Sequence, residues 1–103
     1  MKHELSKMLE MAFKLCEDEK YIQALQYYKN ILRIEPDNVG VIIDYGVTLQ
    51  NLGRLRQALE MYERALSIEP KNLHAQILHF VIILLTYQIQ NLWQRVQLES
   101  VQA

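Results

Sequence analysis

The stretch YIQALQYYKNILRIEPDN at residues 21–38 returns as LRQALEMYERALSIEPKN at residues 55–72, displaced by 34 positions. A repeat of that period belongs to a stacked array, in which each unit is one helical hairpin that cannot bury its apolar face alone. It specifies a kind of surface and not a catalytic motif.

The punctuation around the repeat is sparse and periodic. The two prolines, Pro36 and Pro70, are each followed two residues later by an asparagine, Asn38 or Asn72. Proline disfavours helical geometry in the residue before it, and asparagine can accept a hydrogen bond from the free N–H groups that open the next helix. Gly53 in NLGRL supplies a tight turn, and the first unit uses CEDEKY, without glycine, at the matching place. The spacing predicts helices at about 3–17, 21–34, 39–52 and 55–68. Met8, Met11, Ala12 and Leu15 share one face of the first, and Leu55, Ala58, Leu59, Tyr62, Ala65 and Leu66 one face of the fourth. Amphipathic helices joined by a few residues are antiparallel neighbours, so the fold class is all-α.

Composition sets outer bounds. A chain of 103 residues buries only roughly 60 to 70 per cent of its unfolded surface, which makes a thin core. Half of the residues are hydrophobic, 22% are charged and the net charge is −1, so bulk charge attracts neither nucleic acid nor an anionic membrane. The one cysteine, Cys16, cannot form an internal disulfide, and MKHELSKMLE lacks the apolar block of a signal peptide. A cytoplasmic setting is the expectation.

The second unit resembles a tetratricopeptide repeat (TPR): Gly46 after Tyr45, the turn residue Gly53, then Ala58, Tyr62, Ala65 and Pro70 stand at that family's spacings. The first matches less fully, with Ala12, Tyr21, Ala24, Tyr28 and Pro36 in register, Glu19 at the turn glycine and Ile31 at the second alanine. The resemblance covers residues 5–70. It implies a right-handed α-solenoid of antiparallel hairpins in one domain, 1–103, with repeat 1 at about 5–38, repeat 2 at 39–72 and a divergent third repeat or capping helix at 73–103.

That last segment departs from the pattern. Phe80 occupies the small-residue place, Tyr87 the turn glycine and Leu92 the packing alanine, and no proline closes the unit. Without glycine or proline after Pro70, one long helix from about 73 to 98 is the simplest reading, and a hairpin turning near 90–93 is the other. ILHFVIILLTYQI at residues 77–89 is apolar around nearly the whole helix, which predicts burial on more than one face, against another protein surface, with Ile82 among the apolar surface residues. His79, Thr86 and Gln88 interrupt it, and it is too short for a comfortable membrane span of about 20 residues. Two repeats fall below the number that usually suffices for a stable array, so a homodimer closed through Phe80, Val81, Ile83, Leu84, Leu85 and Trp93 is an expected alternative.

In the family the first helix of each repeat lines a concave groove. By that resemblance the groove holds Leu9 and Phe13, then Ile43, Val47 and Gln50, then Ile77. Leu9, Phe13, Asp44, His74 and Leu78 stand where chaperone-binding members hold a terminal carboxylate with basic and amide side chains, so that clamp is not expected. What remains is an apolar trough suited to a protein or peptide partner, in particular an amphipathic helix.

Sharper chemistry finds little support. The tyrosines Tyr21, Tyr27, Tyr28, Tyr45 and Tyr62 fall at helical spacing and read as core, with hydroxyls reaching the surface. Glu17, Asp18 and Glu19 beside Cys16 disfavour a thiolate there. His74 and His79 are five apart, on different sides of a helix, and His3 has no evident companion, which argues against metal. No glycine-rich phosphate loop or nucleophile motif occurs. An adaptor without cofactor and without enzymatic activity is the expectation, binding protein and not nucleic acid.

Overall fold

The computed structural model describes residues 2–102, and among these there is no strand. Five helices follow in order: α1 (Lys2–Glu17), α2 (Tyr21–Ile34), α3 (Val39–Asn51), α4 (Leu55–Ile68) and α5 (Leu73–Gln102). Successive helices pack as antiparallel neighbours, so α1/α2 and α3/α4 are stacked hairpins and α5 lies on α4.

The helix ends follow from the residues that mark them. Glu35 and Glu69, each before a proline, take φ/ψ of −124°/78° and −127°/84°, outside helical geometry. Asn38 Oδ1 then accepts from the Val41 N–H at 3.1 Å, and Asn72 Oδ1 from the Ala75 N–H at 3.0 Å. Each asparagine also donates from Nδ2 to the preceding glutamate, Glu35 or Glu69, at 3.0 Å. The same pair of bonds thus recurs at the repeat period.

Within the hairpins the turns are also alike. The Lys20 N–H reaches Leu15 O at 2.7 Å, and the Arg54 N–H reaches Leu49 O at 2.9 Å. These bonds close a helix end around a left-handed residue. In the second hairpin it is Gly53 (φ 77°); in the first it is Glu19 (φ 59°), a side chain held where glycine costs nothing.

Small residues set how near the paired helices come. A Cβ on Gly46 would stand 2.6 Å from Tyr62 Cε1, so the ring fills the space that glycine leaves. Ala12 and Tyr28, the counterparts in the first hairpin, are both buried. One core cluster joins Ala12, Ala24, Tyr28, Ile31 and Val41; a second joins Leu25, Leu49, Ala58, Tyr62 and Ile82; a third joins Val39, Ile42, Ile43, Ala65 and Ala75.

Two expectations about the tyrosines and the last helix are corrected. The hydroxyls of Tyr28 and Tyr62 do not reach the surface: Tyr62 donates to Gln50 Oε1 at 2.8 Å, and the Tyr28 oxygen lies 3.9 Å from Cys16 Sγ. Burial pushes the Tyr62 hydroxyl up to about 12. The last segment is one helix, continuing to Gln102 because no residue in it ends a helix. Within one chain it is covered along one side only. Ala75 and Ile82 are covered and Leu78 is half-buried, while every residue from Tyr87 to Ser100 is exposed. The molecule is accordingly elongated, 61 × 31 × 19 Å, with a radius of gyration of 16.5 Å. A compact chain of this length would have about 13 Å.

Candidate functional site

The candidate site is the face shared by α1, α3 and α5. Phe13 on α1 is 46% exposed and Ile77 on α5 is 53% exposed, so two large apolar side chains stand open on the outer helices. Leu9 on α1 and Val47 on α3 are half-buried. Gln50 is half-buried too, and its Oε1 is engaged by the Tyr62 hydroxyl. It orients a core tyrosine and offers a partner only what that bond leaves.

Ile43 is not part of this surface. It is 4% exposed and packs with Ala65 and Ala75, because the small side chain of Ala75 lets α5 close over α3 at that point. Of the apolar residues expected to line the groove, Leu9, Phe13, Val47 and Ile77 keep exposed surface.

The polar content of this face is small. Asp44 on α3 is half-buried; burial pushes its carboxyl up, and the neighbouring His74 on α5 pulls it back down. Thr48, one turn further along, is buried and donates to Asp44 O at 2.8 Å, with Cys16 Sγ 3.6 Å from its hydroxyl. Cys16 is thus a packing element between α1, α2 and α3. Among the described residues, no three His, Cys, Asp or Glu side chains are grouped so as to hold a metal ion.

The second surface is α5 itself. Phe80, Val81, Ile83, Leu84, Leu85 and Trp93 are all exposed, whereas Ile82 is fully covered by α4. The length argument against a membrane span does not hold for the folded helix, since His79, Thr86 and Gln88 do not break it. Leu73–Ser100 is long and apolar enough to cross a bilayer by length and composition. Its second half nevertheless carries Gln88, Gln90, Asn91, Gln94, Arg95 and Gln97, a polar load that is costly in hydrocarbon.

A depression that the sequence did not signal lies between α2 and α4, with Tyr45 and Met61 in it and Lys29, Arg33 and Arg64 around it. Lys29 and Arg33 lie one turn apart on α2 and Arg64 lies on α4, so only the stacking brings the third basic group to the other two.

Residues 15–79 match the family model described as tetratricopeptide repeat. The match spans more than half of the chain, which therefore belongs to the tetratricopeptide-repeat family. Among solved structures, MamA from residue 41 to its end, from Desulfovibrio magneticus RS-1, is similar with a TM-score of 0.78 at 20% identity, over 84% of this chain and 49% of that one. A chain of the CopN–Scc3 complex is similar with a TM-score of 0.79 at 16% identity, over 87% of this chain and 53% of that one. At such identities the likeness is one of fold, an all-α solenoid of TPR type. The chain spans about half the length of each. No curated protein matches it significantly.

Proposed function

We propose that this chain is a non-catalytic interaction module, a single TPR domain over 1–103, that takes an amphipathic helix or extended apolar peptide along the face formed by α1, α3 and α5. The observation that carries this reading is the exposure of Phe13 and Ile77 on α1 and α5, with Leu9 and Val47 half-buried and one half-buried carboxylate, Asp44. Large apolar side chains flanking a shallow trough are where interface energy concentrates. That one of the similar structures is a complex, CopN–Scc3, agrees with a protein partner. A single half-buried cysteine and a net charge of −1 suit a cytoplasmic protein that does not bind nucleic acid. The test is fluorescence polarisation with a panel of labelled amphipathic helical peptides. Val47→Asp should abolish binding while circular dichroism stays unchanged, and added salt should weaken it little. Binding that survives Val47→Asp would place the ligand away from this face, and binding that tracks Lys7, Lys14 and Arg54 and vanishes with salt would indicate an acidic ligand held by surface charge.

A second reading is favoured by α5: the chain also associates with itself through that helix. Phe80 and Trp93 are each 63% exposed, and a monomer would leave this apolar surface in water. Ile83→Glu should lower the mass measured by light scattering. A wild-type protein that is already monomeric at high concentration would exclude this reading.

A further inference from the structure

Both intrahairpin turns place a left-handed residue at the same point of the 34-residue period, Glu19 and Gly53. The next such position is Tyr87, a bulky residue for which that conformation is costly, and there the helix runs on. Helix α5 is therefore the two arms of a third hairpin laid end to end. The period aligns its first half with α3 and its second half with α4.

The second hairpin shows what each half would ordinarily touch. Tyr62 packs on Gly46, and Leu49 and Ala58 share a buried cluster. Their counterparts in α5 are Val96 and Phe80, and Ile83 and Leu92. All four are exposed. The size relation is inverted and not lost, since the aromatic ring now sits on the first arm at Phe80 and the smaller side chain on the second at Val96. Gln76 and Glu99 stand at the places of Ile42 and Ala65, so polar residues also meet polar residues across this alignment.

One chain cannot bring these halves together. Phe80 and Val96 are separated by about 24 Å along the helix and lie on nearly opposite sides, roughly 160° apart, at ~1.5 Å and ~100° per residue. One copy lying along one side of α5 cannot cover both.

We propose that α5 joins copies of this chain head to tail: Leu92 and Val96 of one copy pack on Phe80 and Ile83 of the next and complete its third hairpin in trans. The proposal rests on the reading that α5 is a self-association surface, and it adds the occupant and the symmetry. A contact between two different patches leaves a free head and a free tail on each open assembly, so growth continues to a ring or a filament and does not stop at two.

Two variants test it, Phe80→Glu with Ile83→Glu and Leu92→Glu with Val96→Glu. All four sites are exposed, so circular dichroism should be unchanged. By light scattering, the wild type should exceed twice the 12.2 kDa chain mass and increase with concentration. Each variant alone should remain at one chain mass, and their equimolar mixture should form a one-to-one complex and nothing larger. A mixture that stays monomeric overturns the head-to-tail pairing. So does a wild type that stops at a dimer, though self-association through α5 would stand; a monomeric wild type overturns both.

Discussion

The ring of Tyr62 occupies the volume that any side chain at position 46 would need, with Cε1 2.6 Å from where the Cβ of a substituted Gly46 would lie. Gly46→Ala sets two effects against each other. Alanine is favoured over glycine in a helix interior by about 1 kcal/mol. The ring it would strike is fully buried and tethered through its hydroxyl to Gln50, so it cannot swing aside. Overpacking should win, with a net loss of about 1–3 kcal/mol seen in thermal or denaturant melts. Ala58→Leu, in the same cluster, should cost a similar amount. Unchanged melting of Gly46→Ala would mean that the ring relocates.

The two turns should answer in opposite directions to opposite substitutions. Glu19→Gly relieves a side chain held at φ 59° and should raise stability by about 0.5–1 kcal/mol. Gly53→Ala forces a Cβ onto φ 77° and should lower it by about 1 kcal/mol or more. Chemical denaturation of the pair, with the slope of the transition held equal, checks both signs.

Alkaline pH should destabilise the fold. Burial pushes the Tyr62 hydroxyl up to about 12 and the Tyr28 hydroxyl well above the usual tyrosine value, with Cys16 adding to the latter. The native state therefore holds these protons more tightly than the unfolded chain does. Their stabilising contribution is complete below pH ~10 and declines between 10 and 12, by about 1.4 kcal/mol per pH unit for each tyrosine. Tyr62→Phe should flatten that slope. A melting temperature unaffected from pH 9 to 11.5 would show that the rings open to solvent before they ionise.

The asparagine caps should be of similar worth in both places. Asn38→Ala and Asn72→Ala each remove an acceptor for an N–H at the start of a helix, and each should cost about 1 kcal/mol. Replacement by serine should recover most of the loss, measured by the denaturation midpoint, because serine retains an acceptor there.

The parts of this fold that were legible in the sequence are those fixed by local backbone chemistry. Pro36, Pro70, Asn38, Asn72 and Gly53 act on their immediate neighbours, and the helix ends fall where those residues put them, within a residue of the expectation. The absence of a break after Pro70 likewise foretold one long helix.

What escaped depended on how helices lean on one another. Ile43 reads as a groove residue from its place in the repeat, yet Ala75 on a later helix decides that it is covered. Ile82 and Ile83 are equally apolar, and only the position of α4 buries the first and exposes the second. The hydroxyls of Tyr28 and Tyr62 escaped for the same reason, since Gln50 and Cys16 come to them from other helices.

Because each helix packs mainly on its predecessor and successor, the order of loss under native conditions should be graded along the chain. Amide hydrogens in α3, enclosed between α2 and α4, should exchange only when the whole stack opens, and those of α5 beyond Tyr87 should exchange by local fraying. Contacts made almost wholly between sequence neighbours also require little loop closure, so the stack should assemble fast for its size.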